Sequence, residues 1–214
     1  MKGDVIIVEA QHRRAATTIA THLAPRLGSL GRTATLVVAG ESGSGKSETA
    51  SALVDALAAT GRSAMVLQQD DYFVLPPRSN DAARRRDIAH VGPHEVRLAE
   101  LDAHLAEARA GAGSLIKPLV DYAENRIDRE VVSLLGFDTV IAEGTYTSLL
   151  SAVDSRIFIA RNRLDTLSAR HRRSREAPDP FLEQVLEIEH AVIAPHRNLA
   201  DYVITREYEV ELPA

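Results

Sequence analysis

Gly40-Glu41-Ser42-Gly43-Ser44-Gly45-Lys46-Ser47 decides how the rest of the chain is read. The stretch fits the phosphate-binding loop pattern G-x-x-x-x-G-K-[ST] at every fixed position. Its flanks supply the context that this pattern needs. Thr35-Leu36-Val37-Val38-Ala39 is a short, apolar, β-branched run that predicts a buried strand. Beyond the loop, Ala50, Leu53, Val54, Leu57 and Ala58 fall on one face of a helix, and Gly61 stands where that helix should stop.

The residue types follow from the chemistry of anion binding. Glycines let backbone N–H groups turn inward around a phosphate without a Cβ clash. The helix that starts at the loop adds the positive end of its dipole. Lys46 can reach the outer phosphates as a mobile charge, and the Ser47 hydroxyl can ligate Mg²⁺. Gly40 through Ser47, with Thr49 in the first turns of the helix, are the candidate cofactor-binding residues, and ATP with Mg²⁺ is the implied pair.

The bounds are those of an ordinary globular chain. Its 214 residues suit one domain spanning 1–214, with residues 1–32 as an N-terminal extension to the loop motif. Hydrophobic residues make up 45% and charged residues 26%, enough apolar surface for a substantial core. A net charge of −5 gives no general pull toward nucleic acid or an anionic membrane, so neither is expected as a partner. With no cysteine, disulfides and thiolate metal sites are excluded. No apolar run is long enough to span a bilayer and no signal-peptide core precedes the motif, so the cytoplasm is the expected compartment. A homo-oligomer stays open.

In chain order, Val5-Ile6-Ile7-Val8 predicts a short strand, and Ala15, Ile19, Leu23 and Leu27 predict a helix over 11–27 whose last turn Pro25 should disturb. His12, Arg13 and Arg14 read as its solvated face. Ser63 to Leu67 predicts a second strand, expected beside the loop strand and running into Asp70-Asp71-Tyr72-Phe73. Carboxylates at a strand's C-terminal end sit where open α/β sheets place ligands, and one there can take a proton from an attacking hydroxyl or hold Mg²⁺. Residues 74–93, with Pro76-Pro77 and Ser79-Asn80-Asp81, read as an irregular excursion carrying the basic run Arg84-Arg85-Arg86. A helix is expected over 94–110, and the polar stretch 117–126 reads as a loop. Phe137 to Gly144 is an apolar strand ending in Glu143, the form of an acid that supports metal beside a phosphate loop. Residues 156–160 predict another strand. Arg161, Arg163, Arg170, Arg172, Arg173 and Arg175 make the next segment basic, with Arg170 and Arg173 sharing a helical face. Phe181, Val185, Ile188 and Val192 predict a helix, Tyr202 to Thr205 a core strand and Tyr208 to Leu212 an edge strand.

The order of these segments resembles the uridine kinase, nicotinamide riboside kinase and phosphoribulokinase group of P-loop kinases over roughly residues 33–205. Gln69-Asp70-Asp71-Tyr72-Phe73 is similar to that group's acidic-aromatic segment, and Pro118-Leu119-Val120-Asp121-Tyr122 to its P-x-Y-D-[YF] segment with Val120 replacing tyrosine. Ile141-Ala142-Glu143-Gly144 resembles its strand ending in E-G. Ile193-Ala194-Pro195 and Ala200-Asp201-Tyr202-Val203-Ile204 resemble its I-x-P and A-D-x-I-I elements. The resemblance implies Asp70 as the base, Glu143 with Ser47 as support for Mg²⁺, and Arg170 and Arg173 in a lid over about 163–180. It places Tyr72, Asp121, Tyr122 and Arg126 against the acceptor. The chain departs from the group's ribose-gripping D-H-P segment at His90-Val91-Gly92-Pro93-His94-Glu95, and the group's histidine near the acceptor loop is Asn125 here.

The expected fold is α/β, a three-layer P-loop architecture with a parallel central sheet and a helical lid. The expected activity is transfer of the γ-phosphate of ATP to a hydroxyl of a small-molecule acceptor. Two other readings remain: a GTP-binding switch, because Asn162-Arg163-Leu164-Asp165 resembles the guanine-reading N-K-x-D, and a noncatalytic nucleotide-binding protein.

Overall fold

The first strand, β1 (Ala34–Gly40), is buried along its whole length, which is why it reads as an unbroken apolar run. Its side chains still alternate. Leu36 and Val38 enter one hydrophobic cluster, Val37 and Ala39 the other. In the computed structural model, which describes residues 6–162, 165 and 179–213, these clusters are the two layers of core on either side of a central sheet.

The other strands are β2 (Ala64–Gln68), the pair β3 (Ser114–Asp121) and β4 (Arg126–Ser133), β5 (Thr139–Gly144), β6 (Ser155–Ile159), β7 (Tyr202–Ile204) and β8 (Val210–Glu211). Six of them form the sheet in the order β2-β5-β1-β6-β7-β8. Every pairing is parallel except β7 with β8. The helices are α1 (Ala10–Gly28), α2 (Lys46–Ala59), α3 (Pro77–Arg86), α4 (Leu98–Arg109) and α5 (Pro180–Ile193). One face of the sheet is covered by α1 and α2 through Ile19, Leu23, Leu53 and Leu57. The other is covered by α4 and α5 through Leu101, Leu105 and Ile193, together with Tyr72 and Tyr146. Among the described residues no helix is long and apolar enough to cross a membrane.

Several local expectations are corrected. Residues 6–8 form no strand. Pro25 does not break α1, which continues to Gly28. Both Pro25 and Thr21, whose carbonyl loses its i+4 donor, are exposed, so water can serve the orphaned oxygen while Leu23 and Leu27 stay packed. The excursion at 74–93 contains α3, with Pro77 in its first turn, where a missing N–H costs nothing. The helix expected over 94–110 begins at Leu98, after a short 3₁₀ turn at Pro93–Glu95. The stretch read as a loop at 117–126 is the second half of β3, the turn and the first residue of β4, in an antiparallel hairpin separate from the main sheet. Its alternation was hidden because the inward residue Lys117 is charged and is paired internally with Asp71 and Glu130. Finally, β2 is not beside β1. Strand β5 lies between them, with Val38 and Gln68 each in register with Glu143.

Candidate active site

The phosphate-loop pattern occupies the turn from β1 into α2, at the C-terminal edge of the sheet. Gly43 and Gly45 hold φ of +76° and +97°, conformations that L side chains rarely adopt. At Gly45 space is also short: a Cβ would stand 2.5 Å from the Tyr208 hydroxyl and 3.1 Å from His12 Nε2. Lys46 Nζ donates to the Glu41 carbonyl at 2.9 Å, across the loop. Ser47 Oγ donates to Glu143 Oε1 at 3.1 Å. Glu143 is almost completely buried. Burial first, then the neighbouring charge of Asp70, push its carboxyl up to about 7, against the pull of Lys46 and the Ser47 hydrogen bond.

These residues fit a nucleotide with Mg²⁺. Ser47 and Glu143 present hard oxygen donors side by side, and Mg²⁺ takes one or two protein oxygens and completes its shell with phosphate and water. The Ser44 hydroxyl is buried within the loop without a protein partner. Glu48 places a carboxylate in the first turn of α2, where the helix dipole favours negative charge. Thr49 is buried in the first turns of α2, and its hydroxyl, like that of Ser44, has no protein partner.

The two adjacent aspartates part company. They lie in a 3₁₀ turn, Gln69–Tyr72, at the end of β2. Asp71 is 2% exposed and accepts from Lys117 Nζ at 2.8 Å and from the Val120 amide at 3.0 Å. Asp70 is exposed and lines a cavity of about 260 Å³ with Phe73, Pro77, Arg84, Val120 and Tyr122. The turn is locked from below. Gln69 Oε1 accepts from the Tyr146 amide at 2.7 Å, and Gly144 is so close that a Cβ there would stand 2.2 Å from the Gln69 Cβ.

Of the four residues expected against the acceptor, only Tyr122 lines this cavity. Tyr72 is fully buried, with its hydroxyl 2.9 Å from His104 Nδ1, and burial raises its pKa. It belongs to the core between the turn and α4. Asp121 is buried at the end of β3 and accepts from the Glu124 amide at 3.0 Å, fixing the hairpin turn. Arg126 is exposed and pairs with Asp128 on its own strand at 2.7 Å. Arg170 and Arg173, and with them most of the expected lid, lie outside the described residues.

Other residues around the site escaped the sequence reading. Arg84, the first residue of the basic run 84–86, binds Glu95 through two nitrogens at 2.5 and 3.0 Å and Glu189 of α5 at 3.2 Å. Asn80, one turn earlier on α3, donates to Glu95 at 2.6 Å. Burial works to raise the Glu95 pKa, but Arg84, the Gly92 amide and Asn80 outweigh it and hold it low. Burial raises that of Glu189. His190 Nδ1 lies 2.5 Å from Glu41 Oε1 of the loop. The i, i+4 spacing of Asn80 and Arg84 was the available signal for the first group. For His190 no local signal exists. The N-x-x-D element is spent on its own turn: the Asn162 amide donates to Asp165 Oδ2 at 3.0 Å, the Asp165 amide to Asn162 Oδ1 at 3.1 Å, and Arg206 pairs with the Asp165 carboxylate.

With this geometry in hand, the chain can be set beside known proteins. The family model described as Zeta toxin matches residues 20–109. A bifunctional alpha-galactosidase/sucrose kinase of Mediterraneibacter gnavus is 26% identical over 185 residues, covering 80% of this chain and 20% of that protein. The chain thus spans about a fifth of the length of the curated relative it matches. Three solved structures are similar. They are a putative fructose transport system kinase from Silicibacter sp. (TM-score 0.60, 19% identity, 86% of this chain and 93% of that one), a possible uridine kinase from Bacillus stearothermophilus (0.59, 17%, 86% and 96%) and a D-glycerate 3-kinase from Cryptococcus neoformans (0.63, 14%, 94% and 98%). The architecture persists across kinases of different names, and the chain has the α/β fold of these P-loop kinases.

Proposed function

We propose that the chain is an ATP-dependent kinase that phosphorylates a hydroxyl of a small molecule, with Asp70 as the base. One observation carries the reading. The Ser47–Glu143 pair and the exposed Asp70 converge on the end of the sheet, and Asp70 also lines the 260 Å³ cavity. A donor phosphate on the loop and an acceptor in the cavity would therefore share one carboxylate between them. At about 260 Å³ the cavity is slightly smaller than the roughly 300 Å³ at which ligand pockets usually begin. The molecules in the names of similar proteins, sucrose, fructose, glycerate and uridine, all carry hydroxyls. The resemblance to uridine kinase is the finer form of this proposal.

In the proposed reaction the acceptor oxygen attacks the γ-phosphorus, the bond to the ADP oxygen breaks, and Asp70 takes the acceptor proton. Bound Mg²⁺ would supply neutralisation of phosphate charge. Ser47 and Glu143 would hold it, and Lys46 would exchange the Glu41 carbonyl for a phosphate oxygen. The test is acceptor-dependent ADP release, with D-fructose, sucrose, D-glycerate and uridine offered to the wild type and to Asp70→Asn. Release by the wild type with at least one acceptor, lost in the variant, supports the proposal. Equal release by both would rule out Asp70 as the base, and no release with any acceptor would point to the noncatalytic reading.

A further inference from the structure

The back of the phosphate loop is closed by the two ends of the chain. Tyr208 follows β7 in a turn and adopts φ +64°, a conformation that a residue of this size holds only when its surroundings over-determine it. Its hydroxyl reaches three partners. It donates to the Ser44 carbonyl at 3.0 Å and accepts from Arg161 at 2.9 Å, and His12 Nε2 of α1 stands 3.1 Å away. The proton arrangement follows from counting. The Glu9 amide donates to His12 Nδ1 at 3.0 Å, so in the neutral ring Nε2 carries the hydrogen and donates to Tyr208. A phenol has one proton, and with two donors already facing it, that proton is committed to Ser44.

Ser44 is part of the loop itself. In a planar trans peptide the C=O and N–H point in opposite directions. Drawing the Ser44 oxygen backward onto Tyr208 therefore aims the Gly45 N–H away from Tyr208. The tight approach of Tyr208 and His12 to Gly45 marks that side as the back of the loop. We propose that Tyr208, oriented by His12, is a positioning residue that fixes the Ser44–Gly45 peptide so that its N–H faces the phosphates of a bound nucleotide. The N-terminal extension, which the sequence left without a chemical role, would then contribute to nucleotide affinity through His12. Arg161, stacked 4.9 Å from the Tyr208 ring centre, ties the root of the arginine-rich segment to the same hydroxyl.

This inference rests on the nucleotide-site reading above, and the experiment separates the two. ADP binding is measured by calorimetry for the wild type, Tyr208→Phe, His12→Leu and His12→Gln, with thermal unfolding of each. Removing the hydroxyl should weaken ADP binding roughly 5- to 10-fold, the net value of one well-placed hydrogen bond. In turnover it should raise KM for ATP with little change in kcat. His12→Leu should weaken binding in the same direction by less, and His12→Gln, whose amide can again donate, should recover most of it. Folded Tyr208→Phe binding ADP as tightly as the wild type would overturn the inference. If Tyr208→Phe does not fold, an unaltered ADP affinity in folded His12→Leu would overturn it equally. A wild type that binds no ADP would overturn the nucleotide site itself, and this inference with it.

Discussion

Replacing each of the two neighbouring aspartates by asparagine should separate catalysis from stability. Asp71 is 2% exposed and is bound by the Lys117 ammonium at 2.8 Å. Breaking a buried pair by removing one partner costs about 3–5 kcal/mol, because the other charge is left uncompensated. Here two features soften the loss. Glu130, 2.7 Å from the same ammonium and partly exposed, remains. An asparagine oxygen can still accept from the Val120 amide. The expected cost is therefore about 2–3 kcal/mol, or roughly 4–12 °C in Tm for a chain of this size. Asp70 is exposed, so Asp70→Asn should change stability by no more than ~0.5 kcal/mol. Its turnover should fall on the order of 10²–10⁴-fold, the range of a positioned general base, while ATP still binds. Urea denaturation and steady-state ADP release on the same preparations give both axes. The reasoning is refuted if Asp71→Asn keeps full stability but loses turnover while Asp70→Asn turns over normally. The base would then be Asp71, and the buried network would have been misread as structural.

Further outcomes are expected. Lys46→Ala should abolish turnover and leave the unfolding curve nearly in place, since among the described residues the ammonium hydrogen-bonds a loop carbonyl; normal ADP release would remove Lys46 from the site. Gly144→Ala should push Gln69, and with it the turn that carries Asp70, out of place. Turnover should then fall more than ATP affinity, and an unchanged kcat would show that the turn tolerates the shift. Asp154 is held at about 2, because its hydrogen bond to Arg32, the Thr35 amide and Arg109 outweigh the burial that works to raise it. Because the folded pKa lies below the ordinary 3.8, its contribution is complete above about pH 4 and is lost as pH falls toward 2. The gap is worth about 2 kcal/mol. Asp154→Asn should therefore unfold at lower urea at pH 7, with the difference from wild type closing toward pH 2; a constant difference across that range would count against the pair.

The central strands were legible because burial on both faces leaves an unbroken apolar signal. Thr35 to Ala39 and Val140 to Ala142 sit in β1 and β5, flanked on both sides by other strands. Where a polar group is buried with its partner, that signal inverts. Lys117 looked like loop chemistry and is an inward strand residue, because Asp71 and Glu130 neutralise it inside the protein. Prolines misled in the same manner. Pro77 and Pro25 are poor helix residues on average, yet one sits in a first turn, where its missing N–H is harmless, and the other faces solvent. Strand order was out of reach of local pattern altogether. Nothing in Ala64 to Gln68 says that β5, some 70 residues later, will insert between it and β1.

The same distinction divides the site. Lys46, Ser47 and Asp70 were legible because the chemistry they are proposed to perform requires them at fixed places along the chain. Arg84, Glu189, His190, His12 and Tyr208 were not, because each acts through a partner supplied by folding. Two consecutive residues of α5 make the point. Glu189 meets Arg84 on the wall of the cavity that Asp70 lines, and His190 meets Glu41 of the phosphate loop. Neighbours on a helix diverge by about 100° around its axis, with only 1.5 Å of rise between them. One turn can therefore brace two structures that lie on different sides of it. The loop proposed to hold the donor and the wall proposed to hold the acceptor are thus fixed to a single rigid element. A displacement of α5 would move both together.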